Sequence, residues 1–446
     1  MDGITKCHLL NYISLEDVLN FLNVGEELKQ KILVIKDGHH FFDNLLILSI
    51  LKNIAHGILS GLEATIIIVA PILLIPPELE KYITIFEIEH MESNEIREYI
   101  NEFTNSNYMP EIPSKLLDEM SVAFKGLSAY EIDNILALAY ANDGCFKKND
   151  LELINDQKKQ IVKRSGILEM ITVEETLEDI GGLENLKGWL MKKEKVFKDL
   201  NRAKEFGVDV PKGVLIAGLP GCGKSLSAKA AAKLFAVPLL RLDMGRLLGK
   251  YVGESEANMR KAISLAEAIS PCILWIDELE KAFAGIGEAG SGAEVTTRLF
   301  GNFLTWMQEK TTPSFVVATA NDIFKLPPEL MRKGRFDEIF YVGLPNDEER
   351  RKIFEIHITK RHKKDDLPSI NINELVQNTV GYSGADIEGV VKDSIETVFV
   401  EGKPELKTSD ILDAIKNTHS LSEIMKEPLE KMIKECETRK LKNASV

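Results

Sequence analysis

The feature that most restricts the fold of this chain is a glycine-rich octapeptide near the middle of the sequence. Gly218-Leu-Pro-Gly-Cys-Gly-Lys-Ser225 fits the pattern G-x-x-x-x-G-K-[ST]. A β-branched apolar run precedes it, and an alanine-rich, helix-forming run follows from about Leu226. A strand, a loop and a helix in this order aim successive backbone N–H groups, and the positive end of the helix, at a bound phosphate. A bare glycine turn would lack both flanking elements, so the pattern predicts a phosphate-binding loop.

Two residues of the loop have specific expected roles. Lys224 is expected to reach the β- and γ-phosphates of ATP, and Ser225 to ligate Mg²⁺. The residues expected to contact the nucleotide are Gly218, Leu219, Pro220, Gly221, Cys222, Gly223, Lys224, Ser225 and Leu226.

Two further strands end in polar side chains suited to phosphate chemistry. The apolar strand 272–276 is followed by Asp277, a predicted Mg²⁺ ligand, and by Glu278, which we expect to orient or deprotonate the attacking water. Asn321 ends the next apolar strand and is expected to lie beside the γ-phosphate. Without the phosphate loop, the acids would be read as a solvated strand end and Asn321 as a capping residue in a turn.

Apolar runs that alternate with helical patterns predict an α/β fold with a parallel sheet, as in P-loop NTPases. This ATPase domain is expected at 166–345, followed by a helical lid at 346–420 and a charged helix or fraying tail at 421–446. A truncated, degenerate module without a phosphate loop is expected at 1–165, with an unrelated small α/β domain as the alternative.

The degenerate module is inferred from an internal repeat. Three segments of the first part resemble three segments of the ATPase domain, in the same order and at a nearly constant offset. The pairs are Ile32-Leu-Val-Ile35 with Ile273-Leu-Trp-Ile276, Ile75-Pro-Pro-Glu-Leu79 with Leu326-Pro-Pro-Glu-Leu330, and Gly126-Leu-Ser-Ala-Tyr-Glu-Ile-Asp133 with Gly381-Tyr-Ser-Gly-Ala-Asp-Ile-Glu388.

Composition excludes several classes of function. The net charge of −14 disfavours a nucleic-acid partner. The most apolar stretch, 64–77, is too short to span a bilayer and is predicted to be a buried strand with its exit loop. We expect no membrane association and no signal peptide. The five scattered cysteines lack metal-ligand spacing and indicate a reducing compartment, either the cytoplasm or the plastid stroma.

Taken together, these motifs resemble the AAA+ superfamily, in its AAA clade proper, over about 176–420. The segments that carry the resemblance are Asp179-Ile-Gly-Gly182, the phosphate loop, Trp275-Ile-Asp-Glu278, Asn321, Met331-Arg-Lys-Gly-Arg-Phe-Asp337 and Gly381-Tyr-Ser-Gly-Ala-Asp386. The whole chain is similar to the plastid- and cyanobacterial-type AAA family, whose members also have a degenerate first module.

The resemblance implies further site residues. Arg332 and Arg335 match arginine fingers that complete a neighbouring subunit's site, which implies a homo-oligomeric ring, usually a hexamer; from the residues alone, they could equally be surface charges. The residues matched to the adenine pocket and the lid over the base are Asp179, Ile180, Gly181, Gly182, His357, Gly384 and Ala385.

Lys250, Tyr251, Val252 and Gly253 match a loop that lines the pore of ring-shaped AAA proteins, where an aromatic side chain can grip an extended polypeptide. The alternative is an ordinary exposed turn. Cys222 lies beside Lys224 and a helix N-terminus, which would lower its thiol pKa and make it reactive. The alternative is an inert thiol packed away from the nucleotide.

The sequence therefore predicts an ATP- and Mg²⁺-dependent ATPase that remodels protein clients as a ring. A slow nucleotide-dependent switch or scaffold, acting through the first module, is the alternative. Nucleic-acid translocation is disfavoured by the acidic balance.

Overall fold

The computed structural model describes residues 14–24, 28–70, 75–86, 91–247, 254–283, 291–332, 334–361 and 364–446. Contacts between residues divide the chain into two compact units, 1–89 and 90–446. Among the described residues, no helix is long and apolar enough to cross a membrane.

The first unit contains a small two-stranded parallel sheet and two helices. Its elements are α1 (Leu15–Val24), β1 (Lys31–Lys36), α2 (Leu45–Leu59) and β2 (Ala64–Val69). The prediction of a buried strand within 64–77 is wrong for β2, because Ile67 and Val69 are 44% and 50% exposed. The core of the described part of this unit packs on the other face of the sheet, through Ile35, Leu51 and Ile54.

The second unit begins with a helical segment that has an apolar core of its own. Its helices are α3 (Ser93–Ser106), α4 (Ser114–Ala123), α5 (Ala129–Asp143) and α6 (Asp150–Arg164). Ile96, Met120 and Ile132 are fully buried between them. The turn before α5 packs against the larger domain, since a Cβ on Gly126 would lie 2.7 Å from the side chain of Ile269.

A seven-stranded sheet forms the centre of the second unit. Its strands are β3 (Leu168–Ile171), β4 (Gly213–Gly218), β5 (Leu239–Leu242), β6 (Cys272–Ile276), β7 (Ser314–Ala320), β8 (Glu338–Val342) and β9 (Lys442–Asn443), in the spatial order β3-β5-β6-β7-β4-β8-β9. All neighbours are parallel except β3 and β5. The inner strands β4, β6 and β7 are buried along their whole length, as parallel strands between helical layers must be.

Helices cover both faces of this sheet. They are α7 (Glu184–Lys198), α8 (Leu200–Glu205), α9 (Lys224–Phe235), α10 (Met244–Leu247), α11 (Glu254–Ile269) and α12 (Ser291–Glu309). The core of one face includes residues of α7 and α9, and the core of the other includes residues of α11 and α12. The predicted α/β fold is confirmed.

The lid follows β8 and is helical, as predicted. It consists of α13 (Asp347–Lys360), α14 (Ile372–Asn378), α15 (Gly384–Val400) and α16 (Thr408–Lys416), with a 3-10 turn at Lys364–Ser369. Fully buried Phe354, Leu375 and Val390 form the centre of a separate core.

The C-terminal segment differs from the expected fraying tail. It forms α17 (Leu421–Ile424) and α18 (Lys426–Thr438), and then β9 pairs with the edge strand β8. Met432 and Cys436 join the core of the large domain. The segment stays ordered because Ala444 is fully buried and bonds β8 through its N–H and α7 through its carbonyl.

The three repeated segment pairs have matching local conformations. Asp37 after β1 and Glu278 after β6 both have a positive φ, 54° and 51°. Gly126 and Gly381 have φ of 83° and 86°, and each precedes a serine that forms a capping box with the next helix. The leucines of the two Pro-Pro-Glu-Leu segments are both buried, and each N–H bonds the carbonyl of the first proline.

Candidate nucleotide-binding site

The phosphate loop joins the C-terminal end of β4 to α9 in a conformation that only glycines adopt easily. Gly218, Gly221 and Gly223 have φ of 151°, 71° and 89°. A side chain at Gly218 would collide with the carbonyl of Val342 on β8. The loop therefore presents backbone rather than side chains above the N-terminus of α9, as a phosphate cradle requires.

Lys224 is the cation of this cradle. It is 6% exposed, and its Nζ donates to the carbonyls of Gly218 and Leu219 at 2.9 and 2.6 Å. Burial lowers the pKa of Lys224 to about 8, while Cys222 and then Glu280 act to raise it. Its position on the loop, which the sequence predicted, leaves it within reach of a phosphate bound there.

The predicted Mg²⁺ ligands lie together. Ser225 Oγ donates to Asp277 Oδ1 at 3.2 Å, so the tips of β6 and α9 meet. Thr319 on β7 donates its hydroxyl to the same carboxylate oxygen at 2.5 Å. A hydroxyl and a carboxylate are oxygen ligands of the kind Mg²⁺ takes. The described residues contain no cluster of three or more His, Cys, Asp or Glu that could hold a metal, so the remaining ligands would be phosphate oxygens and water.

Glu278 and Asn321 also lie together. Asn321 Nδ2 donates to Glu278 Oε1 at 3.2 Å, and Lys281 forms an ion pair with the other oxygen of Glu278. Glu278 has an unusual φ of 51°, and its N–H donates to Thr319 Oγ1 at 3.2 Å. A positive φ at a residue other than glycine is a strained backbone conformation, and the side chain of Glu278 is 38% exposed.

Sequence reasoning missed two polar residues of this cluster. Thr319 carries a hydroxyl group within a mostly apolar strand. Its position two residues before Asn321 was the available signal. Glu280 is buried behind Glu278, and its Oε1 accepts the N–H of Asn321 at 3.1 Å. From the sequence alone, Glu280 would be interpreted as a surface charge, because it is the third acid in the segment that begins with Asp277.

The lid touches the phosphate loop directly. The N–H of Ala385, at the start of α15, donates to the carbonyl of Gly221 at 2.9 Å. A Cβ on Gly384 would lie 3.1 Å from the same carbonyl. Ser383 caps α15 and adjoins Gly221. The structure therefore brings Gly384 and Ala385 to the phosphate loop, and their expected place over the base stays a prediction.

The segment matched to the adenine pocket packs against α13 of the lid. Gly181 and Gly182 leave no room for side chains, because a Cβ would collide with Ile353 and with Glu349 respectively. Glu349 accepts the N–H of Leu183 at 2.9 Å. A Cβ on Gly223 would lie 3.7 Å from Leu183 Cδ1, so this segment also adjoins the phosphate loop.

Three other residues matched to the pocket lie on the same two elements. Asp179 pairs with Lys360 of α13 at 2.8 Å, and the carbonyl of Ile180 accepts Lys187 Nζ at 2.7 Å. His357 is half-buried on α13, and burial lowers its pKa while Glu388 acts to raise it. A neutral imidazole is a group that can hydrogen-bond a base edge.

The structure does not agree with a reactive Cys222, which the sequence made the weaker of the two interpretations. Burial raises the pKa of Cys222 to about 11, although Lys224 and the N–H of Gly384 both act to lower it. Its thiol donates weakly to the carbonyl of Pro220 at 3.6 Å. Loss of water around the sulfur outweighs the nearby cation, so the inert alternative fits the structure.

Arg332 and Arg335, the two predicted arginine fingers, lie in the loop that leads into β8. Arg332 is exposed, and Arg335 donates to the carbonyl of Glu329. Among the described residues, neither arginine forms a hydrogen bond or ion pair with Lys224 or Glu278. The predicted pore residues, Lys250 to Gly253, lie outside the described residues.

Family models match four parts of the chain. Residues 214–344 match the ATPase family associated with various cellular activities (AAA), and 369–413 match the AAA+ lid domain. Residues 3–88 and 94–165 match the N-terminal and second domains of SpoVK-like AAA ATPases.

Relatives align with most of the chain. The uncharacterized AAA domain-containing protein ycf46 of Guillardia theta is 39% identical over 415 residues, which cover 93% of this chain and 80% of the relative. The ycf46 protein of Pyropia yezoensis is 37% identical over 449 residues, which cover 100% of this chain and 90% of the relative. A cell division cycle protein 48 homolog of Archaeoglobus fulgidus is 33% identical over 265 residues, covering 57% of this chain and 35% of the relative.

Proposed function

This chain belongs to the AAA family of ATPases, among proteins of the ycf46 type, and from that premise we propose that it hydrolyses ATP to drive the remodelling of protein clients. The observation that carries the proposal is the polar cluster at the ends of β6, β7 and α9. There Ser225, Asp277, Thr319, Glu278 and Asn321 are joined by hydrogen bonds.

The proposed division of labour follows from this geometry. Glu278 is the base that accepts a proton from the attacking water, because its carboxylate is partly exposed at the strand end. Asn321 holds that carboxylate in place and orients the water. Ser225 and Asp277 would hold Mg²⁺, which, when bound, neutralises charge on the phosphates.

Lys224 and the loop bind the triphosphate. On binding, Lys224 would exchange its two carbonyl acceptors for phosphate oxygens, with little movement of its buried stem. The contact between Ala385 and Gly221 gives the lid a direct link to the loop. Nucleotide on the loop can therefore change how the lid sits.

We propose that Arg332 and Arg335 act on the site of a neighbouring subunit, within a homo-oligomeric ring that is usually a hexamer. The exposure of Arg332 supports this, because an exposed guanidinium is accessible to a neighbouring subunit. The client would be a protein, in keeping with the acidic balance. The working compartment would be the cytoplasm or the plastid stroma, which suits the five scattered cysteines of the sequence.

We further propose that residues 1–165 are a degenerate copy of the ATPase module that does not bind ATP. Matching backbone conformations at the repeated segments support the duplication. Lys36, the last residue of β1, is the counterpart of Asp277 in the repeat, and a lysine there would repel Mg²⁺. Full-length protein with Lys224→Ala should bind no nucleotide by calorimetry; saturable micromolar binding in that variant would contradict the proposal.

The ATPase proposal is tested by two substitutions. Glu278→Gln keeps the shape of the side chain but cannot take a proton, so it should bind ATP and turn over about 10²–10⁴-fold more slowly. Lys224→Ala should lose nucleotide binding. Nucleotide affinity and steady-state phosphate release measure both. A Glu278→Gln rate close to that of the parent would exclude Glu278 as the base.

The same assay separates remodelling from the alternative of a slow switch. Unfolded polypeptide should stimulate the parent ATPase, whereas single-stranded DNA should not. Slow turnover that no polymer stimulates would instead favour a nucleotide-dependent switch or scaffold.

A further inference from the structure

Glu280 is a buried carboxylate that the proposed chemistry does not use. It lies in the 3-10 turn Leu279–Phe283 directly behind Glu278, and it is 6% exposed. Carboxylates are rarely buried this deeply without a cation partner. The described residues provide no hydrogen-bond partner for Glu280 Oε2.

The other oxygen of Glu280 has a specific partner. Glu280 Oε1 accepts the backbone N–H of Asn321 at 3.1 Å. That N–H has no strand to bond, because the pairing of β7 with β6 ends at Ala318 and its pairing with β4 ends at Ala320. The carboxylate therefore takes the place of a strand carbonyl at the first residue beyond the sheet.

Fixing this backbone also fixes the side chain. The amide of Asn321 reaches Glu278 Oε1 at 3.2 Å, so Asn321 is held at its backbone by one acid and at its side chain by another. If the backbone N–H were released, the strand end would lose the bond that sets the direction of the amide.

Burial raises the pKa of Glu280, whereas its own N–H, the N–H of Asn321 and Lys224 lower it. Burial is the largest of these effects, so the net direction of the pKa is upward. Two explanations of the buried Glu280 carboxylate follow. Its oxygen positions Asn321 by accepting a hydrogen bond, or its negative charge stabilises the ammonium of Lys224.

We propose that Glu280 is a positioning residue, whose buried carboxylate holds the backbone of Asn321 and thereby aims the Asn321 amide at Glu278 and the attacking water. This assignment rests on two observations. The N–H of Asn321 donates to Glu280 Oε1, and the strand pairing of β7 ends before Asn321. It rests on the proposed ATPase function of the same site.

The test compares Glu280→Ala with Glu280→Gln in the full-length protein. Alanine removes the acceptor, so kcat should fall about 10- to 100-fold, because small misplacements of a catalytic group are costly. The affinity for ATP should change less than about twofold, since the phosphate loop is untouched. Glutamine keeps an accepting oxygen in the same place and should restore kcat to within about threefold of the parent. A glutamine variant as slow as the alanine variant would overturn positioning in favour of charge.

A double-mutant cycle checks that Glu280 acts through Asn321. If it does, Glu280→Ala combined with Asn321→Ala should be no slower than Asn321→Ala alone. A double variant whose loss of kcat is the product of the two single losses would overturn the assignment. Glu267→Ala is the matched control: it removes a partly buried carboxylate, with two side-chain donors, from the other end of the sheet. It should lower thermal stability without the loss of kcat.

The outcomes also distinguish the two levels of proposal. A parent protein that does not turn over ATP overturns the proposed function, and this assignment with it. An active parent whose rate is unaffected by Glu280→Ala overturns the assignment alone.

Discussion

Lys158 illustrates how a single buried cation affects the pH dependence of folding. Its Nζ donates to the carbonyl of Ala123, the last residue of α4, at 2.9 Å, so it caps the negative end of that helix. Burial nonetheless lowers the pKa of Lys158 to about 8. The folded protein therefore loses this proton at lower pH than the unfolded chain does.

The sign of the effect follows. Between pH 8 and the ordinary lysine pKa of about 10.4, the unfolded state binds more protons, so this group makes the free energy of unfolding rise with pH. From pH 8 to 9, the parent should gain about 1 kcal/mol relative to Lys158→Met. Denaturant unfolding of both proteins at the two pH values measures the difference. Parallel changes in parent and variant would mean that Lys158 titrates normally.

Cys222 should be a slow thiol despite its place in the phosphate loop. A pKa raised from 9.0 to about 11 lowers the thiolate population about a hundredfold. Alkylation at pH 7.5, followed peptide by peptide with mass spectrometry, should modify Cys145 at least about tenfold faster than Cys222. Preferential modification of Cys222, with protection by ATP, would restore the idea of a redox-sensitive loop.

At the scale of elements, the accuracy of the sequence prediction depended on how local the signals were. The phosphate loop, Asp277, Glu278 and Asn321 follow directly from apolar strands, and parallel strands gather their C-terminal ends at one edge. Their convergence could therefore be predicted. The seven-stranded order places β7 between β6 and β4, which is why Asn321 meets Glu278.

Features that depend on distant partners were not predictable in this way. Glu280 is buried because β7 ends beside it, and β9 forms because β8 offers an open edge about a hundred residues earlier in the chain. The charged sequence of α18 gives no sign of a strand after it. The pKa of Cys222 depends on its burial in the folded protein, which outweighs the adjacent lysine.

The short strand β9 provides an element-scale prediction. Ala444 is fully buried; its N–H donates to Tyr341 at 2.8 Å, and its carbonyl accepts the N–H groups of Asn185 and Leu186 at the start of α7. Ala444→Leu should overpack this site and lower the free energy of unfolding by about 1–3 kcal/mol. Val446→Leu, at an exposed position, should change it by less than about 0.5 kcal/mol. Equal stabilities in chemical denaturation would mean that β9 does not hold the sheet edge.

At the scale of the whole molecule, the proposed ring makes the arginines testable in mixtures. Arg332→Ala or Arg335→Ala should bind ATP but hydrolyse it about 10³-fold or more slowly, since each loses positive charge at a neighbour's phosphate. Mixing either with Lys224→Ala subunits should restore part of the activity, because an intact site can then meet an intact finger across an interface.

The control for this mixture is a chain that carries both Lys224→Ala and Arg332→Ala. Mixed with Arg332→Ala, it supplies no intact finger at that position and should restore nothing. Confirmed mixed assembly without any complementation between single variants would mean that the arginines do not act between subunits.

The lid is attached to the large domain at both of its ends. Residues 343–346 lead into it from β8, and there the guanidinium of buried Arg350 bonds the carbonyls of Pro345 and Val376. Residues 420–426 lead out of it into α18, whose Met432 and Cys436 are anchored in the core of the large domain. A domain connected by one chain segment can rotate about any axis. A domain connected at two separate points rotates mainly about the line that joins those points. Any rotation of the lid would therefore follow one arc, along which the 2.9 Å bond from the N–H of Ala385 to the carbonyl of Gly221 would lengthen.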